Sequence, residues 1–185
     1  KFKCAYCNFP VLGVKGDYGR HMDNAELQLR DAHDRFGVTQ YLISDETFND
    51  RTEKITKIAD MVETLNFRPF FASHIRADLL IARPHEREEL LRMNFIGHFY
   101  GVETFHPKAA KIIGKGMDPE KVKAGLLELK EYFSARGPYR GSVGIVVGLP
   151  HETKETITKS QEWLNKNWNG QSFAVYPLII PSLEL

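Results

Sequence analysis

GSVGIVVGLP, Gly141 to Pro150, is nearly continuous in apolar residues, and a helix-period segment from Thr153 to Trp168 follows it at once. A run with no polar side to offer water reads as a strand buried on both faces, the pattern of a parallel sheet covered by crossover helices. Outward from it the strand-then-helix alternation recurs. VTQYLIS (Val38 to Ser44) precedes a segment whose Ile55, Ile58, Ala59, Val62 and Leu65 share one helical face. RPFFASHI (Arg68 to Ile75) leads into a helical region that Pro84 interrupts, and FIGHFYGVE (Phe95 to Glu103) is the next strand. DPEKVKAGLLELKEYF then opens a helix with Asp118 as N-cap and Pro119 at its first position, with Val122, Leu126, Leu129 and Phe133 along one side. SFAVYPLII (Ser172 to Ile180) supplies a last strand. Ahead of them all, Ala25, Leu29, Ala32 and Phe36 line one face of an entering helix that Gly37 closes. Strands alternating with helices specify an α/β fold with a parallel sheet, open or closed. No low-complexity segment or linker divides the chain, so residues 1–185 read as one domain.

Composition narrows the function classes. The chain has 185 residues, with 25 Lys+Arg against 24 Asp+Glu, a formal charge of +1. No global field would pull it onto nucleic acid or an anionic membrane. No run approaches the ~18 apolar residues of a membrane span and no charged-then-apolar leader opens the sequence, so a soluble, cytoplasmic protein is expected. The first residue is Lys rather than Met, which suggests an excised fragment.

Both cysteines, Cys4 and Cys7, lie in the opening KFKCAYCNFP. Two thiols are too few for a secreted disulfide framework and favour a reducing compartment with a metal or redox role. C-x-x-C spacing permits a thioredoxin-like dithiol, half of a zinc site, or part of an iron–sulfur site. A dithiol normally opens a helix, whereas here the next helical pattern begins only beyond Pro10, Gly13 and Gly16. Zinc needs four ligands, and His21 and His33 lack the spacing of a finger. Two inert buried thiols suit the place poorly, since Lys1, Lys3 and Lys15 make it polar and electropositive. For iron–sulfur, a cysteine immediately before Lys1 would complete C-x-x-x-C-x-x-C. On these residues alone a dithiol oxidoreductase and a zinc-binding module stand as alternatives.

KFKCAYCNF resembles the cluster loop of the radical S-adenosylmethionine (radical SAM) enzymes, and the ends of the later strands resemble the family's motifs in order. ISDETFND carries Asp45 and Glu46 in the acidic style of the cobalamin-associated and elongator-like subgroup, where the resemblance implies acceptors for the amino group of S-adenosylmethionine. Those carboxylates would equally favour the following helix dipole. SHIRADLL presents Arg76, suited to a carboxylate. YGVETFHPKAAKIIGKG is similar to the family's G-[IV]-E-[ST] segment, which implies that Glu103 approaches the ribose or methionine of the cofactor. GKG there, Gly114 to Gly116, reads as a helix stop. GIVVGLPHET resembles the signature whose strand backbone, Gly148 and Leu149 meet the adenine, with Gly144 letting a flat ring approach; His151 stands where that signature has glycine.

The resemblance implies a partial (β/α)6 TIM-like barrel whose first strand and first cluster cysteine precede Lys1. It implies a 4Fe-4S cluster on Cys4 and Cys7, with Tyr6 and Asn8 beside the cofactor. The reduced cluster would donate an electron to S-adenosylmethionine and yield a 5′-deoxyadenosyl radical that abstracts hydrogen from a substrate, small or macromolecular. An electron donor such as flavodoxin or ferredoxin is expected. Cobalamin is possible by subgroup, without a cobalamin-binding domain in the sequence. His74, His106 and Tyr176 are candidates to line the cavity or simply to pack.

Overall fold

Asp118 begins the longest helix among the described residues by accepting hydrogen bonds from the Glu120 and Lys121 backbone N–H groups at 2.9 and 3.4 Å. This helix, α6 (Pro119–Ser134), buries Leu126, Leu129 and Phe133 on the face that the sequence periodicity predicts. The computed structural model describes residues 21–45 and 47–179. In chain order they form α1 (Met22–Phe36), β1 (Gln40–Leu42), a short 3-10 turn (Phe48–Asp50), α2 (Thr52–Glu63), β2 (Phe70–Ile75), α3 (Ala77–Ala82), α4 (Glu86–Arg92) and β3 (Phe95–Glu103). After these come α5 (Pro107–Ile112), α6, β4 (Arg140–Val147), α7 (Lys154–Asn167) and β5 (Ser172–Pro177).

All five strands pair in parallel, in the order β1-β2-β3-β4-β5. Sequential order with a helical crossover at each step is the winding of a TIM-like barrel, and the sheet curls into half of one. Local chemistry explains the punctuation. Gly37, at φ +65°, returns its N–H to the His33 carbonyl and stops α1. Pro84 separates α3 from α4. Thr153 and Thr156 form a reciprocal capping box at the start of α7.

Along β3, His98, Tyr100 and Val102 are buried beneath the helices while Phe99 and Gly101 are exposed on the other side. This alternation corrects the expectation of strands buried on both faces. Among the described residues helices cover the outer face only, and Leu42, Phe99 and Tyr176 are exposed. Apolar residues continue across the concave face because the half-barrel encloses a lining rather than a solvent surface. The main core gathers Ile55, Ile75, Leu80, Leu90, Leu126, Leu129, Phe133 and Trp168 between sheet and helices. Each such side chain stabilises the fold by about 2 kcal/mol relative to exposure.

A second correction concerns α1. Phe36, placed on one face with Ala25, Leu29 and Ala32, is 70% exposed, and no residue of the helix is fully buried. The helix is held instead by Leu29 against the core, by Arg30 donating to the Thr64 carbonyl at 2.9 Å, and by the His33 ring stacked 3.9 Å from Phe67.

Candidate functional site at the carboxyl ends of the strands

Parallel strands all finish at one edge of the sheet, so residues just beyond them are brought together whatever their distance in sequence. Asp45 lies three residues past β1, Arg76 directly follows β2, Glu103 ends β3, and Gly148 and Leu149 directly follow β4. Four of the predicted motifs therefore share one edge. Cys4, Cys7, Tyr6, Asn8 and Glu46 lie outside the described residues.

The Asp45 carboxylate accepts from the Thr47 N–H at 3.0 Å and from Lys54 Nζ at 2.8 Å. Lys54 also lies 2.6 Å from Asp50 and above the Phe48 ring, and so knits the β1 exit to α2. Arg76 already has a carboxylate: its guanidinium grips Asp78 with both Nε and a terminal nitrogen. Burial pushes the Asp78 carboxyl up, but the Arg76 hydrogen bonds and charge, helped by Lys115 and the Leu79 N–H, outweigh it and hold the group below its ordinary value. Asp78 is thus kept as an anion against Arg76.

Glu103 is held at φ +70°, a left-handed backbone that costs a non-glycine residue of order 1 kcal/mol or more. That turn folds its carboxylate back over the strand, with Oε1 2.7 Å from where a side chain on Gly101 would begin. Lys115 Nζ donates to the Gly101 carbonyl at 2.7 Å and lies 3.4 Å from Glu103 Oε1. Of the sequence GKG, Gly114 does stop α5, at φ +81°, but Lys115 also returns to the strand end. The sequence reading missed this role; the signal for it is a lysine placed directly after a helix stop, one short helix downstream of Glu103.

Thr104 and Glu152, not singled out from sequence, join two exits. Thr104 Oγ1 donates to Glu152 Oε1 at 2.5 Å and accepts from the His106 N–H at 2.9 Å, while the Leu149 N–H donates to Glu152 Oε2 at 3.3 Å. Gly148 makes the turn between them at φ +94°, a conformation open to glycine alone. His151 is at φ +68°, which explains why the family signature has glycine there. The Leu149 side chain is spent on a small satellite core with Ala109, Ile113, Val146 and Leu178.

Below these exits, Gly101, Gly144 and Ala174 are register partners across β3, β4 and β5, a row with little side chain of its own that the Glu103 carboxylate covers only at Gly101. His74 and Phe99 stand together on one side of it, with ring centroids 5.6 Å apart, and Tyr176 flanks Gly144 on the other. His106, the third cavity candidate, is instead occupied as the N-cap of α5, accepting from the Ala109 N–H at 3.2 Å.

Comparison with known proteins decides what this arrangement belongs to. A match to the Radical SAM superfamily covers residues 1–164. The chain belongs to the radical SAM superfamily. It is therefore a radical SAM enzyme domain. No curated protein matches the chain. Among solved structures, the radical SAM enzyme HemN, coproporphyrinogen III oxidase from Escherichia coli, superposes with a TM-score of 0.65 at 16% identity, over 97% of this chain and 42% of its own. The cobalamin-dependent S-adenosylmethionine radical enzyme OxsB, with aqua-cobalamin and S-adenosylmethionine bound, gives 0.67 at 18%, over 98% and 26%. SuiB from Streptococcus suis, bound to its precursor peptide SuiA, gives 0.59 at 19%, over 96% and 36%. At such identities the likeness carries the radical SAM fold alone, and this chain spans less than half of each of those proteins.

The described residues suit S-adenosylmethionine by the chemistry they offer. Asp45 and Glu103 supply carboxylates of the kind that accept from an ammonium or a hydroxyl, and Gly144 and Ala174 put little side chain on the concave face beside them. Among the described residues no group of three or more His, Cys, Asp or Glu could hold a metal ion.

Proposed function

We propose that residues 1–185 are the core domain of a larger enzyme that cleaves S-adenosylmethionine reductively at a 4Fe-4S cluster and uses the resulting 5′-deoxyadenosyl radical on a substrate. The observation that carries this reading is the convergence of Asp45, Arg76, Glu103 and Gly148 on one edge of a parallel half-barrel. Cys4 and Cys7, with a third cysteine preceding Lys1, would hold the cluster, and Tyr6 and Asn8 would flank it. When bound and reduced, the cluster supplies the electron that breaks the sulfonium C–S bond. The chain itself binds and orients. Asp45 and Glu46 would accept the amino group, Glu103 would reach the ribose or methionine, and Gly148 and Leu149 would offer main chain to the adenine. Arg76, ion-paired with Asp78, would stand near the methionine end. The walls formed by His74, Phe99 and Tyr176 would exclude water from the reacting carbon.

An electron donor of the flavodoxin or ferredoxin kind and a reducing, cytoplasmic setting follow from this chemistry. Among the described residues no helix is long and apolar enough to cross a membrane. OxsB is described as cobalamin-dependent; we assign no cobalamin contact to any residue of this chain.

The test is anaerobic reconstitution of the full-length protein with iron and sulfide. The expected product is brown, with about four irons per chain, and Cys4→Ser and Cys7→Ser each lose most of that iron. Iron uptake that is absent, or indifferent to both substitutions, would contradict the reading.

A further inference from the structure

Asn49 is fully buried in the 3-10 turn that follows β1, and its side chain spends both of its hydrogen-bonding ends on one distant residue. Asn49 Nδ2 donates to the Arg76 carbonyl at 3.0 Å, and the Arg76 N–H donates to Asn49 Oδ1 at 2.8 Å. A planar amide that pairs with both backbone groups of another residue reproduces one rung of a sheet, but with a side chain and beyond the ends of the strands. A second buried side chain works in the same place. Ser73, on β2, donates to the Ile43 carbonyl at 2.7 Å and lies 3.2 Å from the Asp45 carbonyl. The β1–β2 pairing runs from Gln40 and Phe70 to Leu42 and Ala72, and its last backbone bond is from the Ile43 N–H to the Ala72 carbonyl at 2.9 Å; beyond it these two side chains bridge the two exit loops.

We propose that Asn49 is a positioning residue for S-adenosylmethionine, acting through the two loops it clamps. It fixes the exit carrying Asp45 against the exit carrying Arg76, and Ser73 supports the same register. This inference rests on the proposed cofactor role of those loops. Asn49 touches no cofactor itself. Its contribution is that an ammonium-binding loop and a cationic loop, 27 residues apart in sequence, meet the ligand at one preset separation. Misplacing either by a fraction of an ångström forfeits much of the binding.

Asn49→Asp keeps the shape and loses the donor to the Arg76 carbonyl, while Ser73→Ala is a milder cut into the same clamp. Asn94 provides the control. It is another buried asparagine, donating from Nδ2 to the Pro69 carbonyl at 2.8 Å, but at the opposite end of the sheet. In the reconstituted full-length protein, iron content, thermal midpoint and the S-adenosylmethionine dissociation constant are read for wild type, Asn49→Asp, Ser73→Ala and Asn94→Asp. The expected result is wild-type iron in all four, with binding weakened about tenfold or more by Asn49→Asp and about fivefold by Ser73→Ala. Asn94→Asp should lower the midpoint and leave binding within about twofold. Unchanged binding in both Asn49→Asp and Ser73→Ala overturns the inference alone, because the wild type still binds. So does equal weakening by Asn94→Asp, which would make the effect one of stability. A wild type that takes up iron and binds no S-adenosylmethionine overturns the functional reading together with it.

Discussion

His151 carries an L side chain at φ +68°, and no hydrogen bond among the described residues offsets the strain. His151→Gly should therefore stabilise the domain by up to about 1 kcal/mol, the strain relieved minus the greater chain entropy of glycine when unfolded. Chemical denaturation reads this directly, and a loss of stability would show that the imidazole has a role of its own. His98 predicts a pH dependence. Fully buried, it donates from Nε2 to the Phe95 carbonyl at 3.0 Å and accepts the Tyr100 hydroxyl at Nδ1, 2.8 Å away. Burial pushes its pKa down to about 4, against the smaller opposing effect of the Phe95 carbonyl. The unfolded imidazole titrates near 6.5, so between the two values the unfolded chain holds a proton that the folded one refuses. Stability is then full above about pH 6.5 and falls towards pH 4, by roughly 3 kcal/mol. His98→Gln should flatten this slope, and an unchanged slope would assign it to other groups. The strain at His151 was legible as a departure from a glycine signature. The pairings of Lys115, Glu152 and Asn49 were not, because long side chains choose partners brought near only by the fold.

Among the elements, helices were legible to within a residue or two wherever a cap and a periodic face agreed, as at Asp118 and Thr153. Strands were found and their faces misread. A parallel strand lining a half-barrel is as apolar as one buried on both sides, so composition does not separate the two. The length of β1 was also overestimated, because VTQYLIS has strand chemistry throughout while only Gln40–Leu42 pair. Close approach of α3 to α6 gives the prediction at this scale. A side-chain carbon on Gly125 would lie 2.2 Å from Ile81 Cδ1 and 2.5 Å from Ile81 Cγ1. By helix propensity Gly125→Ala should stabilise α6 by about 1 kcal/mol. Packing decides the sign the other way, and we expect a net destabilisation of about 1–2 kcal/mol in denaturant unfolding. A gain in stability would mean that Ile81 turns aside without cost.

At the scale of the whole molecule, a parallel half-barrel gathers the ends of its strands, and none of the described helices covers its concave face. Asn49 and Ser73 tie the first exit to the second, and Thr104 with Glu152 ties the third to the fourth. The edge that carries the predicted cofactor contacts is therefore cross-braced by side chains. The family was legible because its motifs recur at these exits in order. The substrate was not, since His74, Phe99 and Tyr176 describe a wall and not what it encloses. The central claim is that this edge presents S-adenosylmethionine to a cluster held by Cys4 and Cys7. The most direct measurement is 5′-deoxyadenosine formed by the reconstituted full-length protein under dithionite. The account predicts 5′-deoxyadenosine and methionine in equal amounts from the wild type and neither from Cys7→Ala; an iron-replete wild type that forms no 5′-deoxyadenosine would contradict it.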